Sequence, residues 1–247
     1  MYRSYANKIK REIIKKIVSD HFDAMIRSCQ FEAEFNEIVS DYYEVKKYIG
    51  VRLYPSDYIA QVGKDLVLGK DFGGDIFAML VFDLPDSVIN IQPIQILGWG
   101  KTLDELFETG LQNIKYKYPL DIVKQDLGEL KVWLIHSDHF FTPNIVFNLN
   151  NHQKLIGNYG ALVGIPHRHA VLIYPIENFE VVDAINKLIP VVYGMETKGP
   201  GSDSNNIFLY QNGAFYNLPY KFEDNKIEFF PTEKLVALLE ILKLNRD

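Results

Sequence analysis

The stretch GIPHRHAVLIYPI, Gly164 to Ile176, sets two histidines around an arginine at the head of an apolar run. If His167 and His169 lie on one extended strand, they are two residues apart and share a face. That geometry suits two ligands of a single metal. Further ligands would have to come from His136, Asp138 and His139 in IHSDHFF, or from His21 and His152. The local pattern stops short of such a site. The run continues with Leu172, Ile173 and Tyr174, where a cupin-type site takes a carboxylate, and no H-E-x-x-H helix motif occurs. The reading is therefore a histidine pair with no metal and no cofactor. Arg168 offers different chemistry. Its planar guanidinium can take a carboxylate or phosphate with two parallel hydrogen bonds, or close an ion pair within its own domain.

Other catalytic signatures are missing. There is no G-x-S-x-G nucleophile elbow and no Walker loop. GKDFGGD is glycine-rich but lacks the following Lys-Ser or Lys-Thr, and GPGSDSNN reads as a mobile polar loop. Cys29 has no local activating group and reads as a small buried hydrophobe at the end of a helix. Asp83 and Asp86 flank Leu-Pro, where aspartate makes the local hydrogen bonds of a turn. Asp83 nevertheless joins Arg168, His167 and His169 as a candidate ligand-binding residue.

The elements that must position these residues follow from spacing. Ile9, Ile13, Ile17, Phe22, Met25 and Ile26 predict an amphipathic helix over 6–28, with lysines and arginines opposite. Phe31, Phe35, Ile38, Tyr42, Val45 and Ile49 predict a second helix that ends at Gly50. VRLYP, DYIAQV, DIFAMLVFDL and the alternating DSVINIQPIQIL read as strands, with Pro85 breaking the chain. Thr102 and Glu105 have capping-box spacing and open a helix closed by Pro119. ELKVWLIHS, PNIVFNL, GALVGI and HAVLIYPI read as further strands. ENFEVVDAINKLIPVVYGM reads as a helix with Pro190 as its kink point. IFLYQNGAFYNL is a hairpin around Asn212-Gly213, KFEDNKIEFFP a second one around Asp224-Asn225, and a last helix begins near Thr232.

Helices and strands mix without strict alternation, and hairpins favour antiparallel pairing. The expected class is α+β, with mainly antiparallel sheets, packed helices and an N-terminal helical segment. The division expected is a helical segment over 1–50 and an α+β domain over 51–247, with two subdomains meeting near 118–130. At 247 residues the chain can bury a core without disulfides, and its lone cysteine excludes an internal disulfide framework. A net charge of −6 argues against a nucleic-acid partner. No run of apolar residues reaches membrane-spanning length and the N-terminus is no secretory signal, so a cytoplasmic protein without membrane attachment is expected.

Taken in order, VRLYP (51–55), LVFDLPDSVINI (80–91), TLDELFETGLQNI (102–114), ALVGIPHRHAVLIYPI (161–176) and IFLYQNGAFYNLP (207–219) resemble the YtpQ-like family of uncharacterised bacterial proteins. Order and hydrophobic pattern carry the likeness across roughly residues 45–220. The matched positions are Arg52, Asp83, Asn113, Pro166 and Arg168. The family pattern keeps the Pro-x-Arg element without the flanking histidines, so His167 and His169 read as local variation. The resemblance implies a bacterial cytosolic protein and brings no activity with it.

Two functions compete. The first is a non-enzymatic protein-binding module, in one form an immunity protein that neutralises a toxin. It rests on the acidic charge, the 15 Tyr and 16 Phe, and the missing catalytic signature. The alternative is a small-ligand-binding protein or hydrolase centred on Arg168, His167 and His169. A third reading, attachment to a membrane surface, draws on the basic cluster Lys8, Lys10, Arg11, Lys15 and Lys16. Whether His136, His139, His167 and His169 converge is left to the fold.

Overall fold

A computed structural model describes residues 2–128, 130–224 and 226–245, with side chains from residue 10 onward. The chain opens with α1 (Tyr2–Ile38), a short α2 (Tyr42–Val45) and a 3-10 turn, then enters β1 (Ile49–Pro55). Next come α3 (Ser56–Val62), β2 (Gly69–Gly73), β3 (Ile76–Asp83), β4 (Val88–Asn90) and α4 (Leu103–Lys117). The second half holds β5 (Asp121–Leu127), β6 (Leu130–His136), a 3-10 segment over Thr142–Asn151, β7 (Ala161–His167) and β8 (Ala170–Pro175). It ends with α5 (Val181–Lys198), β9 (Ile207–Gln211), β10 (Ala214–Leu218), β11 (Tyr220–Glu223), β12 (Lys226–Phe229) and α6 (Glu233–Leu244).

The fold is α+β with antiparallel sheets. One sheet runs β1-β3-β2, with β4 also on β3; a second runs β10-β9-β7-β8-β6-β5; β11 and β12 pair apart. β3 is buried along its whole length because it is central and covered on both faces. Val51, Leu53, Ala78, Leu80 and Phe82 of the first sheet share a core with Val163, Ile165, Val171 and Ile173 of the second. The far face of the second sheet packs Leu162, Leu172 and Leu209 against Ile185, Leu188 and Val192 of α5 and Leu235 and Leu238 of α6. On α4, Thr102 and Glu105 make the capping box reciprocally. α4 lies close on β1 because Gly110 meets Gly50, where an added Cβ would come within 3.0 Å of the Gly50 carbonyl carbon.

Several expectations give way here. α1 runs unbroken through the first two expected helices up to Ile38, and Gly50 lies inside β1, paired with Val81. DYIAQV is helical, since Ser56 follows Pro55 and Ile59 turns inward at helical spacing. PNIVFNL is 3-10, its buried Thr142, Ile145, Val146 and Leu149 recurring every three or four residues. Only Val88–Asn90 of DSVINIQPIQIL is strand; Pro93 opens a short 3-10 turn capped by Gln92 and Gln95. Cys29 is exposed, because α1 lies outside the core there. The second hairpin is present with Asp224 at φ 49°, while Asn225 lies outside the described residues. Among the described residues no helix is long and apolar enough to cross a membrane.

Candidate functional site

β7 and β8 form a hairpin whose two-residue turn is Arg168-His169. His167 ends one strand and pairs with Ala170, so the histidines do not lie on one extended strand as the spacing implied. Their ring centroids are 6.3 Å apart. Arg168 Nε donates to His169 Nε2 at 3.2 Å, which makes that nitrogen an acceptor. The proton of the neutral ring then sits on Nδ1 and is donated to the Ser137 carbonyl at 3.1 Å. Both nitrogens of His169 are thereby committed. His167 Nδ1 accepts from the His169 backbone N–H at 3.3 Å. Burial pushes the His167 pKa below the usual histidine value, and His169 and Arg168 push it the same way.

The polar loop after α5 is drawn onto this turn. The Arg168 N–H donates to the Gly201 carbonyl, and the N–H groups of Asp203 and Ser204 donate to the carbonyls of Pro166 and Ile165. Residues 201–204 thus run beside the end of β7, with one isolated antiparallel bridge between Ser202 and His167. Gly201 has φ +71°, and a Cβ there would lie 2.8 Å from Arg168 Cδ and Nε; only glycine lets the backbone pass so close. Tyr220 pins the loop from the other side through a hydrogen bond to the Asn205 carbonyl. The polar loop is held against the hairpin at its centre, while Pro200 and Gly201 stay exposed. Asp203 is 3 % exposed and Ser204 2 %.

Around Asp203 four distant segments meet. Arg52 comes from β1, Arg168 from the hairpin, and Asp75 from the turn before β3, where its Oδ1 accepts from Ser204 Oγ at 2.5 Å. The Phe140 ring lies over both guanidinium groups, 5.3 Å from Arg52 Cζ and 4.4 Å from Arg168 Cζ. Arg52 also stacks on Tyr54 at 4.5 Å, which in turn stacks on Tyr58 at 4.8 Å. Burial pushes the Asp203 carboxyl up to about 8; Arg52 and Arg168 oppose the rise, and Asp75 adds to it. Burial thus favours the protonated form of Asp203 beside the two guanidiniums, with the Asp75 carboxyl also in the cluster. Asp203 Oδ2 and Arg52 Nε are both buried without a hydrogen-bond partner. Orphaned buried donors and acceptors are rare, and each marks a position that a further polar group could satisfy.

The other expected residues are placed elsewhere. Asp83 is 5 % exposed and is not held in a turn by its neighbours. It accepts from Tyr118 Oη at 2.8 Å and from Lys117 Nζ at 2.5 Å, both at the end of α4. His139 stacks on Tyr118 with centroids 4.5 Å apart, and its pKa is lowered mainly by burial. His136 is exposed and pairs along the strand with Ala170. Among the described residues no group of three or more His, Cys, Asp or Glu side chains is arranged to hold a metal.

A cleft of about 800 Å³ lies away from Asp203, between α4 and the 3-10 segment. Phe72, Phe107, Leu111, Ile122 and Phe147 line it. Its rim charges largely balance, with Lys70 paired to Asp104. Asn144, on its wall, donates to the Val51 carbonyl at 2.8 Å and leaves its buried Oδ1 without a partner. The cleft offers room and apolar surface. The Asp203 cluster offers unbalanced charge and a carboxyl with a shifted pKa, which are what select and hold a polar ligand. The candidate site is therefore assigned to Arg52, Arg168 and Asp203.

Sequence reasoning reached Arg168 through its side-chain chemistry and Arg52 through the family resemblance, and passed over Asp203. The one local signal for Asp203 was the Gly-Pro-Gly preceding it, which marks a close backbone approach as well as a loop. Compared with protein-family models, curated proteins and solved structures, the chain matches none.

Proposed function

We propose that this protein binds a compact anion, a carboxylate or phosphate group, between Arg52 and Arg168, with protonated Asp203 as a third hydrogen-bonding partner. The observation that carries the proposal is a buried acid, Asp203, within electrostatic reach of Arg52 and Arg168, whose Oδ2, like Arg52 Nε, has no hydrogen-bond partner. A protonated carboxyl donates to an anion's oxygen where an ionised one would repel it. Phe140, 37 % exposed, covers the guanidiniums and controls access to them. His167 and His169 shape the turn that presents Arg168.

The test is a thermal-shift series with inorganic phosphate and succinate. Wild-type protein is expected to gain stability with at least one of them, and Arg168→Ala to lose that gain. Arg168→Lys keeps the charge without the planar fork and should recover part of it. An equal shift in wild type and Arg168→Ala, or no shift in wild type, refutes the assignment.

The protein-binding reading, including the toxin-neutralising form, has support from one observation, the exposed apolar side chains of α1 between Ile13 and Ile26. The exposed aromatics Phe22, Tyr43, Tyr116, Phe140 and Phe230 stand on five separate segments.

A further inference from the structure

VRLYP alternates along β1. Val51 and Leu53 point into the core shared by the two sheets, so Arg52 and Tyr54 stand together on the other face. Tyr54 packs there with Phe77, Met79 and Phe141 and is 9 % exposed. Its ring is held by the stacks on Arg52 and Tyr58. Arg52, Asp203 and Arg168 are all within electrostatic reach of its hydroxyl. Burial raises its pKa, and Arg52 opposes the rise, so the phenol stays protonated near neutral pH.

The hydroxyl of Tyr58 accepts from Asn90 Nδ2 at 3.4 Å. That of Tyr54 has no hydrogen-bond partner among the described residues, and it is not sealed from solvent as Arg52 Nε and Asp203 Oδ2 are. The same is true of Nη1 and Nη2 of both arginines: Arg168 commits only Nε, to His169, and Arg52 makes no ion pair among the described residues. One cluster therefore presents two open N–H forks and an open hydroxyl.

The rings decide how these donors can be used. Phe140 lies over both guanidiniums and Tyr54 over Arg52. A ring covers the face of a guanidinium and leaves its N–H edge free, so a ligand is taken at the edges. Two forks, the Tyr54 hydroxyl and the protonated Asp203 carboxyl are all donors, while the Asp75 carboxyl takes its hydrogen bond from Ser204. A carboxylate has about four lone-pair sites, which two forks already fill. A phosphoryl group has three strong acceptor oxygens and a charge of about −1.5 to −2, enough for both forks and the hydroxyl.

We propose that the anion taken at this site is a phosphoryl group, with the Tyr54 hydroxyl as the donor that separates it from a carboxylate. The inference rests on the anion-binding reading of Arg52, Arg168 and Asp203. The two guanidiniums balance the dianion, and Tyr54, fixed on the strand beside Arg52, donates to an oxygen that the forks leave with a free lone pair.

Titrations of inorganic phosphate, phenyl phosphate, acetate and succinate near neutral pH, followed by NMR chemical shifts of the protein, test it. Wild type should bind at least one of the phosphates roughly tenfold tighter than either carboxylate. Tyr54→Phe keeps both ring stacks and removes no hydrogen bond of the fold, so its melting temperature without ligand should match wild type. It should weaken phosphate binding about tenfold, the worth of one hydrogen bond to a charged group, and leave acetate within about twofold. Binding of inorganic phosphate alone marks free phosphate as the ligand, and binding of phenyl phosphate as well marks a phosphate monoester; either supports the assignment. Carboxylates as tight as the phosphates, or Tyr54→Phe weakening all four ligands alike, overturns this inference and leaves the anion site standing. So does phosphate binding that Tyr54→Phe leaves unchanged. No binding of any of the four overturns both.

Discussion

Replacing Asp203 with asparagine separates two electrostatic states of the site. In the fold the carboxyl is pushed from 3.8 up to about 8. Between those values the folded chain holds a proton that the unfolded chain has released. Stability then falls as pH rises through the window and levels off above about 8. Each pH unit inside it is worth about 1.4 kcal/mol, so the wild type gives up about 4 kcal/mol by pH 7 relative to acid conditions. Asparagine keeps the shape without the titration. Its amide shifts the whole stability curve by a constant, so the slope is the observable. Urea unfolding followed by Trp99 and Trp133 fluorescence, at several values from about pH 4.5 to 8.5, should show the variant gaining on wild type at about 1.4 kcal/mol per unit. His139, His152 and His167, whose pKa values are lowered by burial, act in the opposite direction. They destabilise the fold as pH drops below 6.5, but they are common to both proteins and cancel in the difference. A flat difference, or a variant that loses ground as pH rises, would mean that Asp203 is ionised and paired with the arginines, and the reasoning would fail.

Gly201→Ala should destabilise the protein by about 1–3 kcal/mol and displace Arg168, because the residue sits at φ +71° against that side chain; denaturation and anion binding read the two effects. Asp83→Ala should cost about 1–3 kcal/mol through the hydrogen bonds lost from Tyr118 and Lys117, with anion binding unchanged because Asp83 lies outside the site. Thr102→Ala should cost about 1 kcal/mol in urea titrations by removing the cap of α4. Phe140→Ala should speed anion association in stopped-flow measurements by uncovering the guanidiniums, and unchanged rates would remove Phe140 from the account.

Local signals in the sequence proved dependable where one short segment satisfies its own constraints. Asn212-Gly213 turns the β9–β10 hairpin with φ values of 52° and 80°. Thr102 with Glu105, and Thr232, cap α4 and α6. β3 and β8 are buried runs of strand length. Expectations failed where short apolar spacings fit two periods. Ile59 and Val62, and Ile145, Val146 and Leu149, were read as strand, although their steps of three and four are helical. The site was only half legible for a different reason. Arg168 advertises its chemistry wherever it sits, but Asp203 becomes unusual only when the loop is laid along β7, far from solvent and close to Arg52 and Asp75. A carboxylate beside serines and asparagines in a glycine-rich segment looks solvated until the tertiary structure removes the water.

Calorimetric titration of succinate and inorganic phosphate at about pH 8, in two buffers of different ionisation enthalpy, tests the central claim most directly. An anion seated between Arg52 and Arg168 raises the Asp203 pKa further, so binding should take up protons and weaken as pH rises. Arg52→Met combined with Arg168→Met should abolish it. No binding of either anion, or binding that takes up no protons and persists in the double variant, would contradict the account.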